Sequence, residues 1–408
     1  MTRSHPKFTI IIPTRERAVV LDAALSTACA QDCDNLEIIV SDNFSTDETR
    51  EVVAGHRDPR IRYINTGRRL SMSHNWEFAL AHVEDGWVTM LGDDDGMLPG
   101  AISKVRELVD VTGVAAIRSD CCSYNWPSVL QRNHGRLEVT LRSGHEIRNP
   151  RDWLGKVLAG KQNYSALPML YNGGFVEYRL IESIRSRTGA FYHSMIPDVY
   201  SAVVFSRVLD RYAYTFEPLA INGASSHSGG TSAFARGGLT SPGSTPSKQF
   251  LSEPNIPFHS DLPLPAGGGY PLSVDALVYE SLLQSERLGE SGIPGVTHES
   301  QLEVILRHAD GQNRQSVIEW GRVFAERHAL PFDKVLARLR VKRPLDRVRS
   351  AFSRFSSGVN TVVIGSDQLP VRNVYEASVA AATVRSIAPG RIGNFARRVR
   401  DKLGTGAG

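Results

Sequence analysis

Cysteine is scarce, with four in 408 residues. Cys29 and Cys33 have three residues between them, and Cys121 and Cys122 are adjacent. Neither pair has a histidine at zinc spacing, so the expectation is reduced, mostly buried thiols rather than a cysteine-held metal. Long apolar runs are missing as well. The stretch Phe8 to Pro13 is far too short for a membrane span or a signal-peptide core, and Met1 to Lys7 is polar. A cytosolic protein with no transmembrane helix is expected. Internal repeats and heptads are also absent. Net charge is small, at +4, but unevenly placed. Between Lys334 and Lys402 there are 15 Lys and Arg against 4 Asp and Glu, so this stretch carries +11 and the remainder −7. Such a basic region suggests an anionic partner surface, the plain alternative being a solvated helical face. Aromatic residues are not interleaved with the basic ones, which argues against nucleic acid.

What is present is a strand and helix rhythm. Phe8 to Ile12 is a continuous apolar run ended by Pro13, as a buried parallel strand requires. Val19 to Gln31 reads as a helix, Leu36 to Val40 as a second strand, and Ser45 to Glu48 as N-terminal capping chemistry. Ile61 to Ile64, Trp87 to Leu91 and Val114 to Ile117 are further strands. Helices lie at Ser71 to His82 and from Pro99 to Val111, with Pro99 in the first turn. This alternation predicts an α/β fold, a mainly parallel sheet flanked by helices, with ligands at the carboxyl edge of the strands. The expected organisation is an α/β half over 1–120, a second half of the same domain over 121–235, and a Gly/Ser/Pro-rich loop over 236–272. A helical region over 273–341 and a basic tail without core pattern over 342–408 follow. Gly155 to Gln162 nearly matches a phosphate-binding loop, but it lacks the closing Ser or Thr and sits in a helical context.

Three strand ends are polar: Pro13-Thr14-Arg15-Glu16, Ser41-Asp42-Asn43 and Gly92-Asp93-Asp94-Asp95-Gly96. In a parallel sheet they converge. Three adjacent carboxylates repel one another, and a divalent cation relieves that repulsion. Hard oxygen ligands suit Mg²⁺ or Mn²⁺, which in turn can bridge a diphosphate. The plain alternative is an acidic surface turn.

The runs Ile10 to Arg15, Glu37 to Asp47 and Leu91 to Pro99, in this order and spacing, resemble the family 2 glycosyltransferases of GT-A fold. The likeness is good over residues 7 to 120 and looser to about 230. It implies a GT-A-type, Rossmann-like sheet with a helical C-terminal region. The activity it implies is inverting transfer of a sugar from a nucleotide-sugar donor to an acceptor hydroxyl, in polysaccharide or glycoconjugate synthesis, with Mg²⁺ or Mn²⁺. By that resemblance Pro13, Thr14, Arg15 and Glu16 shape the nucleotide pocket and Asp42 bonds the base. Arg68 or Arg69 reaches base or phosphates, and Asn75 stands where relatives often carry Asn. Asp93 meets the ribose and Asp94 the metal, with Asp95 a supporting or alternative ligand. The sequence departs from the family pattern at Gly92, where many relatives have the first Asp. Asp198, after Pro197 at a helix start, matches the general base, with Glu177 and Glu182 as weaker candidates. A plain N-terminal helix Asp is the bland alternative. His227 matches a further metal ligand, and the glycines after it suit a closing lid. The acceptor implied is a saccharide or lipid-linked saccharide, which would place the protein at the inner membrane face, held by its basic region. A sugar nucleotidyltransferase is the rival enzyme, disfavoured because the first loop has no glycine. A non-catalytic nucleotide-sugar or polysaccharide-binding module is the rival outside enzymes.

Overall fold

A computed structural model describes residues 6–128, 134–226, 253–264, 271, 273–309, 311–340 and 360–387. The chain opens with β1 (Phe8–Thr14), α1 (Ala18–Cys29), β2 (Leu36–Asp42), α2 (Thr49–Gly55), β3 (Ile61–Asn65), α3 (Met72–Leu80) and β4 (Trp87–Met90). β1 is apolar on both sides because both faces are covered. Phe8, Ile10 and Ile12 join one core and Ile11 another on the opposite face. β1 pairs in parallel with β2 and β4, and β2 with β3. The polar ends of β1, β2 and β4 therefore share one edge. Asp47, within the capping segment expected at Ser45 to Glu48, accepts from the Thr49 amide and hydroxyl at the start of α2.

Next come β5 (Gly96–Met97), α4 (Ala101–Thr112), β6 (Ala116–Asn125), β7 (Leu137–Thr140), β8 (His145–Arg148) and α5 (Pro150–Leu158). The first half of the near-match to a phosphate-binding loop lies in α5. Pro99 precedes α4 rather than entering its first turn, because Gly100 turns the chain at φ +77°. Then follow β9 (Gly174–Glu177), α6 (Tyr178–Thr188), α7 (Pro197–Val208) and β10 (Tyr212–Ala224).

The sheet is mixed, which corrects the mainly parallel expectation. β9 runs antiparallel between β4 and β6, and antiparallel pairs join β6 to β7 and β10 to β5 and β8. β10 lies parallel to β6. The inserted antiparallel strand starts beside the end of β4, with Gly174 opposite Arg118 near the start of β6, so residues 167–173 are delivered to the carboxyl edge of β4.

The helical region consists of α8 (Val274–Gln284), α9 (His298–His308), α10 (Arg314–Arg327) and α11 (Phe332–Arg340), as the sequence predicts. It packs on α5 and α7. α7 is apolar all round because it is wedged between two cores. Val199, Ala202 and Val203 face the helical region, while Tyr200, Val204 and Phe205 face the sheet.

The basic tail expected over 342–408 is corrected within its described part. β11 (Thr361–Ile364) pairs antiparallel with β7, and α12 (Val374–Ile387) packs on α1. Val371, Val374, Ala377 and Ala381 are buried against Val20, Ala23 and Ala24. A four-residue strand and an alanine stripe carry too little apolar bulk to stand out as a core pattern. Of the 236–272 loop, 253–264 and 271 are described. Among the described residues no helix is long and apolar enough to cross a membrane.

Candidate active site

The carboxyl edge collects every expected donor-side and metal-side residue that is described; His227 lies outside the described residues. In the first loop Thr14 is buried, and its hydroxyl has no hydrogen-bond partner. Glu16 holds a left-handed backbone at φ +51°, a strained conformation for a residue with a side chain. Its carboxylate gathers the Thr46 and Asp47 amides at 3.1 and 3.2 Å and pairs with Arg69. Against the cost of burial, Arg69 and then the Thr46 amide and hydroxyl hold its pKa below the usual carboxylate range. The Glu16 bonds tie the first loop to the second. Arg15 makes a two-pronged ion pair with Glu253, both contacts at 2.6 Å, so segment 253–264 reaches the first loop.

Asp42 is buried and already partnered. One oxygen accepts from the Ser45 amide at 2.9 Å, the other from the Tyr63 hydroxyl at 2.6 Å and the Asn65 side-chain amide at 2.9 Å. Asn75 accepts from the Ser41 hydroxyl at 2.8 Å, bracing the end of β2 from α3. Arg68 is exposed.

The acidic triplet is buried, not a surface turn: Asp93, Asp94 and Asp95 are 2, 5 and 1% exposed. Asp93 pairs with Arg17 at 2.8 Å. Asp94 accepts from the Ser225 hydroxyl at 2.6 Å. Asp95 accepts from the Tyr171 hydroxyl at 2.6 Å and the Gly223 amide at 2.7 Å. Burial pushes the pKa of both Asp94 and Asp95 up. The Asp93 charge adds to it for Asp94 and the Asp94 charge for Asp95, while Arg17 opposes it at Asp94. Two glycines make this packing feasible. A Cβ on Gly223 would lie 1.8 Å from the Asp94 carbonyl oxygen. One on Gly92 would lie 2.4 Å from Asp95 Oδ2 and 2.8 Å from the Tyr171 hydroxyl. The departure at Gly92 thus has a physical cause: the Asp95–Tyr171 pair fills the space that a side chain there would need.

Asp198 sits in the first turn of α7, directly after Pro197, and accepts from the Tyr164 hydroxyl at 3.0 Å. Burial raises its pKa against that hydrogen bond. Tyr171 meets the acidic triplet through Asp95. Its own pKa is raised by burial, then by Asp95 and Asp94, and also by Asp198. The loop bearing Tyr164 and Tyr171 is held by Arg118 on β6, which donates to the carbonyls of Ser165, Tyr171 and Asn172. Glu177 faces Trp87 at the amino end of β4, the edge away from the site, and Glu182 is exposed on α6. Neither reaches the carboxylates.

Arg17, Tyr164, Tyr171, Arg118, Ser225 and Glu253 join the site without having stood out in the sequence. Only Arg17, beside the first motif, has a local signal. Among the described residues no group of three or more His, Cys, Asp or Glu side chains forms a ready metal cage. The donors present are nonetheless carboxylate oxygens whose ionised forms are disfavoured by burial and by one another, a charge balance a divalent cation would reverse.

Residues 9–161 match the family model described as glycosyl transferase family 2. The GalNAc(5)-diNAcBac-PP-undecaprenol beta-1,3-glucosyltransferase of Campylobacter jejuni is 36% identical over 119 residues, 28% of this chain and 38% of that protein. Validoxylamine A glucosyltransferase of Streptomyces hygroscopicus subsp. jinggangensis is 39% identical over 85 residues, 19% of this chain and 20% of that protein. The chain thus spans about two fifths or less of the length of these relatives. Among solved structures, S. aureus TarS 1-349 in complex with UDP-GlcNAc aligns over 79% of this chain and 81% of its own, at 13% identity and TM-score 0.45. The fold is a mixed α/β sheet flanked by helices, with a helical region toward the C-terminus.

Proposed function

We propose that this chain, which carries a family 2 glycosyl transferase sequence over residues 9–161, moves a sugar from a nucleotide-sugar donor to an acceptor hydroxyl with inversion. The observation that carries this reading is the buried Asp94 and Asp95 pair after β4, with Tyr171 donating to Asp95 and Tyr164 to Asp198. Pro13 to Glu16, Asp42, Asn75 and Asp93 form the donor side. Asp42 and Asn75 act by bracing the loop ends as much as by direct contact, since their oxygens already accept hydrogen bonds. Arg68 or Arg69 reaches the base or the phosphates.

Mg²⁺ or Mn²⁺, when bound, offsets charge on the leaving diphosphate. Asp94 is the favoured ligand, with Ser225 donating to one of its oxygens and holding the carboxylate in place. Asp95 is a weaker one, since both of its oxygens hold protein donors. His227 completes the set. Asp198 removes the acceptor hydroxyl proton, aided by a pKa raised toward the working range. The freed oxygen bonds to the anomeric carbon as the bond to the nucleoside diphosphate breaks.

Polysaccharide or glycoconjugate synthesis is the proposed setting. A lipid-linked acceptor draws support from the PP-undecaprenol in the C. jejuni relative's name. Peripheral contact with an anionic membrane draws on the basic residues of 342–408 and on exposed Val363, Tyr375, Val379 and Ile387.

The test is a thermal-shift screen of UDP-, GDP-, dTDP- and CMP-sugars with and without Mn²⁺, followed by turnover of Asp198→Asn. The variant should bind donor as the wild type does and lose at least about 100-fold in transfer. Near-normal turnover removes Asp198 from the mechanism, and no release of nucleoside diphosphate from any donor removes the transferase reading.

A further inference from the structure

The loop that delivers Asp198 is strapped from two sides. From α3, Glu77 accepts from the Phe191 and Tyr192 amides, each at 2.9 Å, and the Ser73 hydroxyl donates to the Ser194 carbonyl at 2.7 Å. From α8, in the helical region, Glu280 accepts from the Ser194 hydroxyl. Glu280 is fully buried, a costly place for a carboxylate unless donors surround it. Its second oxygen accepts from the Gln284 side chain at 2.9 Å and from the His259 amide at 3.3 Å. Gln284 also donates to the Pro257 carbonyl at 2.9 Å. Burial raises the Glu280 carboxyl to about 7, with the bonds from Ser194, Gln284 and His259 acting against that rise.

One carboxylate therefore joins two stretches of chain that end at the active site. The first runs from Ser194 through Pro197 to Asp198. The second is segment 253–264, whose Glu253 grips Arg15 in the first loop. We propose that Glu280 is a positioning residue that sets Asp198 against the acceptor, braced on its other oxygen by segment 253–264. The helical region, which lies beyond the family match at residues 9–161, is then part of the catalytic unit. This rests on the transferase reading for its catalytic half, whereas the strap itself can be tested without any substrate.

A buried carboxylate that only stabilised the fold would serve both halves of the molecule alike. A positioning residue acts on kcat through Asp198 alone. The full-length protein is compared as wild type, Glu280→Ala, Glu280→Gln and Ser194→Ala. Hydrogen exchange followed by mass spectrometry should show peptides over 190–198 and 255–262 exchanging at least about tenfold faster in Glu280→Ala. Peptides over 8–14 and 87–91 should be unchanged. With a donor found by the thermal-shift screen, kcat should fall about 100-fold, as small misplacements of a reacting group do, while KM for the donor stays within about threefold. Glu280→Gln should recover at least about tenfold of that loss, because the amide oxygen can still accept from Ser194. In an Asp198→Asn background, Glu280→Ala should cost no more than about twofold further.

Wild-type exchange in 190–198 for Glu280→Ala overturns the proposal, as does an undiminished loss in the Asp198→Asn background. Should Glu280→Ala not fold, Ser194→Ala, which breaks the same bond from the other side, is judged by the same exchange and kcat criteria. Wild-type protein that turns over no donor sinks the transferase reading instead, and exchange still judges the strap.

Discussion

Replacing Gly223 by alanine would place a methyl group 1.8 Å from the Asp94 carbonyl oxygen and 2.9 Å from the Trp126 ring nitrogen. Neither neighbour can yield cheaply. The carbonyl is main chain, and it accepts the Trp126 indole hydrogen bond at 2.9 Å. β10 would have to retreat by more than about 1 Å to reach ordinary contact. That retreat takes with it the Gly223 amide from Asp95 and the Ser225 hydroxyl from Asp94, bonds of 2.7 and 2.6 Å. Each is a hydrogen bond to a buried ionisable group, worth about 1.5–3 kcal/mol, so the expected cost is about 3–6 kcal/mol. A cost of that size is a large share of the roughly 5–15 kcal/mol by which proteins are stable. Urea unfolding of Gly223→Ala against wild type measures it, and calorimetric titration with nucleoside diphosphate and Mn²⁺ reads the site. Both stability and metal-dependent binding should fall. A loss below about 1 kcal/mol with binding intact would refute the close packing of β10 on the acidic loop.

Tyr171→Phe removes the hydroxyl bound to Asp95. It should cost about 1.5–3 kcal/mol in urea unfolding and raise the pKa of Asp95 further, and unchanged stability would contradict that bond. Asp94 and Asp95 have pKa values raised above the ordinary 3.8. Their contribution to stability is therefore present below that value and lost as pH rises through the raised ones. A cation bound to the ionised pair should restore it, so the melting-temperature gain from Mn²⁺ should grow between about pH 5 and pH 8, as scanning calorimetry can test; a flat gain would argue against this pair as the site. A chain ending after residue 387 serves as the reference for a second truncation. Ending it after 359 strips β11 from β7 and α12 from α1 and should cost several kcal/mol, since Val371 and Val374 alone contribute about 1.5–3 kcal/mol each by burial. Equal melting temperatures for the two truncations would refute a structural role for 360–387. Charge reversal, not truncation, is consequently the sound way to probe membrane contact there.

The legible parts of the site are those whose signal is local. The acidic triplet after a buried strand, the polar ends of β1 and β2 and the Pro197-Asp198 helix start each stand out within a few residues. Tyr171, Ser225 and Arg118 do not, because an isolated tyrosine, serine or arginine has no pattern of its own. Their roles arise where β9, β10 and β6 meet the loop after β4. The mixed sheet is hidden for a similar reason, since a four-residue strand such as Gly174–Glu177 carries no mark of its direction.

By itself, then, the sequence determined the alternation of strands and helices, the edge where the polar strand ends converge and the carboxylates that lie there. Periodicity and chain direction settle those within one element and its loop. The tertiary structure decided which donors satisfy each carboxylate, why residue 92 can only be small, and that residues 360–387 close the core over α1. Such matters depend on which distant segments touch, and burial energy across the whole chain selects that.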